Sequence, residues 1–234
     1  YNTTTDSVSN GVVEFPYTSS LNSDNFTVSL WSKRYFHNNG HLRHIINNRG
    51  NADTNQGWTL RLETSNRLDL YLRDGSGWDN IIGSDLAADD SGLTYPQADV
   101  WYHYVVTLGN QPGEVGSDRV RVYSNAELQN PAYRAVASYT KNTDGPFCIG
   151  GADPGGMTYA YGLPGSMEEV CYWNVALDLG AVAELYNSGD GVAATTISSS
   201  NIVLYWKLNE GSGSTALDSS AAPHLNGTIK AHYN

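Results

Sequence analysis

The chain is poor in basic residues, in cysteine and in long apolar runs, and each shortage excludes a class of protein. Of its 234 residues only 13 are Lys or Arg against 24 Asp or Glu, so the formal net charge is −11. A surface this negative repels phosphate backbones, and we expect no nucleic acid partner. No run approaches the ~18–20 apolar residues of a membrane span, so we expect no membrane insertion. Two cysteines are too few for a disulfide framework.

Aromatic and turn-forming residues are abundant instead. The chain contains 16 Tyr, 6 Trp and 24 Gly, and its polar residues are mostly Asn, Ser and Thr. This composition favours short strands joined by many turns. The scarcity of Lys beside so much Asn, Ser and Thr favours an extracellular, secreted or virion-surface location. The chain begins at Tyr1, and we expect it to be a mature or excised piece.

Hydrophobic and polar residues alternate along most of the chain, which predicts half-buried antiparallel strands. The run "FTVSLWSK" places Phe26, Val28 and Leu30 on one face of a strand. The run "GWTLRLETSNRLDLYLRD" predicts a hairpin about the turn Ser65-Asn66, and "WYHYVVTL" is typical of a strand buried on both faces. Roughly a dozen such strands predict an all-β fold, a two-sheet antiparallel β-sandwich.

One segment, "ALDLGAVAELYNSGDG", has the periodicity of a helix. Its apolar residues recur at three- and four-residue spacing, which predicts a short helix near residues 178–187. Asp178 can cap the start, and Gly189 can end the helix in the left-handed conformation. The helix is short, so we expect it to cover one edge or end of the sandwich.

Six segments, in this order, resemble the laminin-G-like (concanavalin A-like) jelly-roll family: "FTVSLW", "GWTLRLETSNRLDLYL", "WYHYVVTL", "DRVRVYSNAEL", "FCIGG" and "LPGSMEEVCYWNVALDLGAVAELYNSG". The similarity spans about residues 11–191 and implies a two-sheet jelly roll. Two departures stand out. Asn125-Ala126 occupies the place of the family's Asp-Gly, and Glu168-Glu169 the place of its Asp-Glu.

The stretch "LYWKLNEGSGSTALDSS", from Leu204, resembles the first strand of the family and the Gly/Asp-Ser turn after it, yet here it follows the helix. We therefore expect residues 1–234 to form a single laminin-G-like β-sandwich in which 202–234 supply the first-strand segment in circularly shifted order. A truncated second domain at the C-terminus is the alternative. The strand can also pair with a neighbouring copy instead of its own sheet.

The circular shift predicts how this C-terminal segment folds. Alternation places Leu204, Trp206 and Leu208 toward the core. Asp218 is expected to organise a corner through hydrogen bonds from its side chain to the backbone. Residues 226–229 should then lie beside the N-terminal strand at 11–15.

The sequence argues against catalysis. The Glu-x-Asp-x-x-Glu pattern of the family's glucanases is absent, and so are the Arg-rich strand and the Gln-x-His pattern of its alginate lyases. Glu168 and Glu169 are adjacent, so we expect them to point to opposite faces of the sheet and not to form a pair. We expect no enzyme activity and name no catalytic residue.

Metal sites are weighed against ordinary turns. His37, His41 and His44 in "FHNNGHLRH" can be read as a transition-metal site, but polar residues around a hairpin are the favoured interpretation. Calcium (Ca2+) is the more plausible ion, because it binds oxygen-rich loops. The alternative is turn-forming residues that bond to their own backbone. The candidate ligands are Asn51, Asp53 and Asn55 in "NNRGNADTNQG", and Asp218.

Sugar recognition needs exposed aromatic faces beside amide or carboxylate groups. Trp78 lies in the Gly/Ser-rich stretch "RDGSGWDN", where ligand contact and simple loop packing are both open. The tryptophans in predicted strands are interpreted as packing residues: Trp31, Trp101, Trp173 and Trp206. The candidate ligand-binding residues are Trp78, Asp74, Asp79, Asp153, Tyr159 and Tyr161.

Cys148 and Cys171 lie in strands that the fold could place side by side, so a disulfide and two free buried thiols both stay open. Two functions compete for the whole chain. The first is a non-catalytic extracellular lectin-like module that binds glycans, with calcium as an assisting ion. The second is a structural subunit of a filament, surface layer or phage virion, in which copies assemble through the β-sandwich and the terminal strand.

Overall fold

The alternating runs form two antiparallel sheets that face each other, as shown by a computed structural model of the chain. This confirms the predicted all-β sandwich of jelly-roll type with one short helix. The structure describes residues 10–35, 42–50, 56–73, 78–82, 96–111, 113–116, 118–129, 134–136, 139–151, 162–221 and 223–232.

The strands of the described residues fall into two sheets. The first sheet has eight strands in the order β14-β15-β1-β11-β3-β4-β5-β6. The second has seven, in the order β10-β8-β7-β2-β12-β13, with β9 paired to β8. The elements are β1 (Asn10–Phe15), β2 (Phe26–Arg34), β3 (Arg43–Arg49), β4 (Gly57–Leu62), β5 (Leu68–Arg73), β6 (Trp78–Ile82), β7 (Trp101–Leu108), β8 (Asp118–Ser124), β9 (Glu127–Leu128), β10 (Arg134–Val136), β11 (Phe147–Ile149), β12 (Gly165–Trp173), α1 (Leu179–Tyr186), β13 (Ile202–Trp206), β14 (Thr215–Ala216) and β15 (Gly227–His232).

Aromatic side chains fill the space between the sheets. Phe26 of the seven-stranded sheet stacks on Trp58 of the eight-stranded sheet, with ring centroids 5.4 Å apart. It also stacks on Tyr172 at 5.6 Å. Phe147 meets Trp206 edge to face at 5.9 Å. Contacts of this kind between aromatic rings add to the area that the rings bury.

The predicted hairpin is confirmed. Strands β4 and β5 pair in register, and the turn between them closes through a hydrogen bond from the Glu63 N–H to the Arg67 carbonyl. Asn66 has φ of 70°, a left-handed conformation that asparagine tolerates. The leucines of β5 all lie in the core, as alternation predicts.

The single described α-helix covers the outer face of the seven-stranded sheet. The Asp178 side chain caps its start by accepting a hydrogen bond from the Ala181 N–H at 2.9 Å. Val182 packs against β7 and β8, which explains why "WYHYVVTL" is buried on both faces. Gly189 was expected to end the helix, but the left-handed residue is Asn187, with φ of 45°. Within the described residues no helix is long and apolar enough to cross a membrane.

The C-terminal segment completes both sheets. Strand β15 pairs with β1, so the predicted return of residues 226–229 to the N-terminal strand is confirmed. Strand β13 pairs with β12 of its own chain. Leu204 and Trp206 are fully buried, and Leu208 packs partly against the same core. The Trp206 indole N–H donates to the Leu225 carbonyl at 2.8 Å. That this arrangement is a circular shift of the family's order stays a prediction.

Asp218 organises the predicted corner. Its carboxylate accepts hydrogen bonds from the backbone N–H groups of Tyr205, Ser220 and Leu225, and from the Ser220 hydroxyl, at 2.7–2.9 Å. The side chain is buried, so these donors replace the water it loses. Four protein donors on one carboxylate favour the corner over the predicted calcium-ligand function of Asp218.

Cys148 and Cys171 are free and buried. Cys148 lies in β11 of the first sheet and Cys171 in β12 of the second. Their strand neighbours point into the core, so alternation turns both thiols toward the outer faces of opposite sheets. The expectation that their strands lie side by side is therefore wrong, and the sandwich itself separates the two sulfur atoms.

His103 of β7 lies under the end of α1 and is 1% exposed. Its ring stacks near Trp31 and Tyr186, with centroids 5.0 and 6.1 Å away. Its Nε2 lies 2.7 Å from the Ser29 hydroxyl. Burial lowers the pKa of His103 to about 4, so the ring is neutral at physiological pH.

Trp206→Ala should lower the free energy of unfolding by ~3–5 kcal/mol, because it leaves a cavity and removes the bond to Leu225. Denaturant unfolding measures this. The control is Leu217→Ala in the same segment, where the side chain is 52% exposed and the change should stay within about 0.5 kcal/mol. Equal stability of the two variants would show that the C-terminal segment does not belong to the core.

His103→Gln should make the fold less sensitive to acid. The folded-state pKa of about 4 lies below the ordinary 6.5, so the unfolded chain takes up the proton first as pH falls. The stability that neutral His103 contributes is complete above pH 6.5 and is lost progressively toward pH 4, by up to about 3 kcal/mol.

Unfolding of both proteins should be compared from pH 7.5 to pH 4. His44, whose pKa burial lowers to about 3, acts in the same direction, and Asp69, whose pKa burial raises to about 7, acts in the opposite one. Both are present in both proteins, so the difference between the two curves isolates His103. Parallel curves would contradict the prediction.

Candidate functional site

A groove of about 480 Å³ lies on the outer face of the seven-stranded sheet, beside the end of α1. Strands β2, β7, β12 and β13 form its floor, and the loop at residues 189–193 forms one wall. Its size falls in the range of ligand-binding clefts, ~300–1,000 Å³. The side chains that give it chemical character are Trp31, Trp101, Glu168, Glu169, Tyr205 and Lys207.

A β-bulge in β12 brings two carboxylates into this groove. Glu168 pairs with Trp31 and Cys171 with Ser29, so two residues of β12 oppose one of β2. At the bulge Glu169 has φ of 55°, outside the extended region. Both Glu168 and Glu169 line the groove. The sequence-based argument that these neighbours face opposite sides of the sheet is therefore wrong, because it assumed a regular strand.

Trp31 is fixed at the base of the groove. Its ring stacks on Tyr186 of α1 at 5.8 Å between centroids. Gly191 also lies against the indole, and an added Cβ atom there would come within 3.3 Å of the indole nitrogen. Gly191 also has φ of 67°, which a glycine adopts at little cost. The small size of glycine and its tolerance of a positive φ therefore favour the close approach of the loop after α1 to Trp31.

The polar groups of the groove are held in place by the protein. The Tyr205 hydroxyl donates to Glu169, and burial together with this carboxylate raises the pKa of Tyr205. The Lys207 ammonium lies 5.6 Å from the centroid of the Tyr205 ring. The Lys33 ammonium lies 5.4 Å from the centroid of Trp101. Trp101 is half-buried, so part of its ring faces solvent.

The sugar-binding residues predicted from sequence lie elsewhere or outside the described part. The backbone of Trp78 and Asp79 belongs to β6, opposite Arg73 and Leu72, and not to a loop as expected. Nothing in the described residues tests their contact with a ligand. Seven predicted site residues lie outside the described residues: Asp74, Asp153, Tyr159, Tyr161, Asn51, Asp53 and Asn55.

The histidine motif does not form a described metal site. His44 is buried in β3, and burial together with Arg49 and Arg61 lowers its pKa to about 3. His37 and His41 lie outside the described residues. Across the described ranges no group of three or more His, Cys, Asp or Glu side chains is placed to hold a metal ion.

The outer face of the eight-stranded sheet carries a charged network. Asp69 has no exposed side-chain surface and accepts a hydrogen bond from Arg67 Nε at 2.9 Å. Burial raises the pKa of Asp69 to about 7, and Arg67 opposes this. The Arg61 guanidinium lies 3.8 Å from the centroid of the Tyr71 ring, and Arg61 also pairs with Glu63. These groups satisfy one another, which favours a structural function for this face.

Trp31 is a packing residue, as expected, but it also lies at the base of the groove. Trp101 was expected to pack as well, yet it is half-buried and lines the groove. Trp173 and Trp206 are packing residues, as expected. A usable signal existed for Trp31, because alternation in β2 places it on the face opposite Phe26, Val28 and Leu30. Which strands lie beside β2 at the groove depends on the strand order of the sheet, and alternation within one strand does not reveal that order.

Comparison with solved structures shows what the fold is similar to. A candidate carbohydrate-binding protein from Bacteroides ovatus aligns with a TM-score of 0.62 and 19% identity over 96% of this chain. This chain spans 59% of that protein's length. At this identity the likeness extends to the fold alone.

Two further solved structures share the architecture. The SAP-like pentraxin of Limulus polyphemus aligns with a TM-score of 0.50 and 17% identity, over 79% of this chain and 84% of the pentraxin. The CBM40 domain of the Ruminococcus gnavus IT-sialidase, solved with α2,3-sialyllactose, aligns with a TM-score of 0.51 and 12% identity, over 75% of this chain and 94% of that domain.

No curated protein matches the sequence. A family model does match it, over residues 6–183, which include most of both sheets and the start of α1. The resemblance found in the ordered strand motifs is thereby confirmed. The chain belongs to the concanavalin A-like lectin/glucanases superfamily.

Proposed function

We propose that the chain is a non-catalytic, extracellular, lectin-like module that binds glycan in the groove beside α1. The observation that carries the proposal is the placement of Trp31 and Trp101 next to Glu168 and Glu169 in a cleft of ligand-binding size.

The chemistry of the groove matches that of a sugar. A pyranose ring presents C–H groups on its faces and hydroxyl groups around its rim. An aromatic face can pack against the former, and carboxylate or amide oxygens can accept hydrogen bonds from the latter. Trp101 offers a partly exposed ring, while Glu168 and Asn209 offer exposed oxygen atoms.

Two structural neighbours support a glycan rather than another ligand class. The Bacteroides ovatus protein is described as a candidate carbohydrate-binding protein, and the Ruminococcus gnavus domain was solved with a sialylated sugar. Glycan binding by this chain remains a proposal, since the likeness to both is one of fold.

The non-catalytic part of the proposal rests on the environment of the two glutamates. The Tyr205 hydroxyl donates a hydrogen bond to the Glu169 carboxylate, while Glu168 is exposed to solvent. A glycosidase acid needs a carboxyl group whose pKa is raised by apolar surroundings. The exposure of Glu168 and the hydrogen bond from Tyr205 to Glu169 support a binding function for this pair.

Calcium assistance is a further, separate part of the proposal. Its candidate ligands are the loop residues Asn51, Asp53 and Asn55, which supply oxygen atoms on alternate positions. The motive remains the sequence pattern, together with the chain's net charge of −11.

The structural-subunit hypothesis is less well supported, because the outer edge of β13 is already occupied. Its Tyr205 N–H donates to Asp218, and its Tyr205 carbonyl accepts from the Ser219 N–H at 2.8 Å. A strand whose free edge is covered in this way cannot readily add a strand from a second copy.

Trp101→Ala should weaken glycan binding by roughly 30-fold or more, about 2 kcal/mol, because it removes the exposed ring of the groove. A glycan array with wild type identifies the ligands, and the variant is then tested on them. Tyr17→Ala is the matched control: Tyr17 is 41% exposed and does not line the groove.

The same array decides among the candidate sites. Loss of binding on Trp78→Ala with retention on Trp101→Ala would move the site to β6 and contradict the groove. Absence of wild-type binding to every glycan would refute the lectin proposal and leave the structural subunit.

Removal of calcium should reduce glycan binding by roughly tenfold, about 1.4 kcal/mol, if calcium assists the site. The measurement is binding of an array-selected glycan before and after EDTA treatment, with recovery on added Ca2+ but not Mg2+. Asp53→Asn should reproduce the effect of EDTA. Unchanged binding in EDTA would exclude calcium and leave glycan binding untouched.

A further inference from the structure

The outer face of β2 carries an aromatic residue beyond the groove. Alternation places Trp31 and Lys33 on the same side of the strand. Tyr35 directly follows the strand, and its hydroxyl bonds to Ser166, the register partner of Lys33, so it lies on that side too. At ~3.3 Å per residue, Tyr35 lies about 13 Å along the strand from Trp31. The groove itself ends before Tyr35, which is not among its lining residues.

The strands paired with β2 supply further side chains between Trp31 and Tyr35. Trp31 lies between His103 of β7 and Glu168 of β12. Lys33 lies between Trp101 and Ser166 on the same two strands. The outer face therefore presents successive rows of side chains, one with Trp31, the next with Trp101, and then Tyr35.

Tyr35 is exposed and held in one orientation. It is 45% exposed, although it is a large aromatic side chain. Its hydroxyl lies 2.7 Å from the Ser166 hydroxyl, and its N–H donates to the Pro164 carbonyl at 2.9 Å. An exposed ring contributes little to folding. A ring whose hydroxyl is hydrogen-bonded gives up less conformational freedom when it packs on a ligand than one without such a bond.

The charges along this face are close to balance. The groove contains the carboxylates Glu168, Glu169 and Asp190, against the ammonium groups of Lys207 and the adjacent Lys33. An anionic sugar gains no net attraction from such a surface, whereas hydroxyl groups find both acceptors and donors there.

We propose that the site takes an uncharged oligosaccharide chain, laid along β2 from the groove across Trp101 to Tyr35. The inference rests on the proposed function and adds to it the length and charge class of the ligand. Trp101 forms the primary position, beside the carboxylates Glu168 and Glu169 of the groove. Tyr35 forms a second position that only a longer chain can reach.

The test is a length series. Binding of cello-oligosaccharides and chito-oligosaccharides of two to six units is measured by calorimetry. Affinity should rise with length and then level off once Tyr35 is covered. Tyr35→Ala should weaken the longest chains by roughly five- to tenfold and leave the disaccharides unchanged, since only the longer chains reach the ring.

Two controls separate the second position from a general effect. Trp101→Ala should weaken every length, and Tyr17→Ala none. Tyr35→Phe keeps the ring but loses the Ser166 contact, so it should retain most of the long-chain affinity.

Affinity that is already complete at two units, or an equal loss at all lengths on Tyr35→Ala, would overturn this inference while the proposed function stands. Binding of anionic glycans alone on the array, with no binding of either neutral series, would do the same. Absence of all glycan binding would overturn both.

Discussion

The stacking of Phe26 on Trp58 and Tyr172 is the contact on which the rest of the structure depends. Phe26 begins β2 in one sheet and Trp58 lies in β4 of the other, so their rings join the two layers of the sandwich. All three side chains are almost fully buried. With both inner faces occupied in this way, each sheet has only its outer face left for other purposes. The two outer faces are used differently.

Paired charged side chains lie on the outer face of the eight-stranded sheet, and a helix packs on the outer face of the seven-stranded sheet. On the eight-stranded sheet Asp69 and Arg67 pair with each other, and the exposed part of that face is small among the described residues. On the seven-stranded sheet α1 and the segment after it pack on part of the outer face and end beside Trp31. The groove lies next to this covered part. The bulge at Glu169 then breaks the strand's alternation at that place, and two carboxylates share one face where a regular strand would present one.

Much of the fold could be predicted, because burial imposes a local pattern. The leucines of β5 and the pair Leu204 and Trp206 are in the core as alternation requires, and Asp178 caps the helix where its position before an apolar period suggests. The corner at Asp218 followed from the tendency of aspartate to bond to nearby backbone. The candidate site was predicted poorly for the same reason. Alternation describes regular strands, and it gave the wrong side for Glu169 because a bulge leaves no clear mark in the residue types.

The sequence by itself determined the class of fold, the faces of the strands that turn inward, the helix and the return of the C-terminal segment to the sheet. These properties depend on neighbours along the chain and on the free energy of removing apolar surface from water. Only the tertiary structure decided that Trp31, Trp101, Glu168 and Tyr205 share a groove. They belong to four strands far apart in sequence, and they meet because of the sheet order β7-β2-β12-β13, one bulge, and a glycine that lets the loop after α1 close over an indole ring.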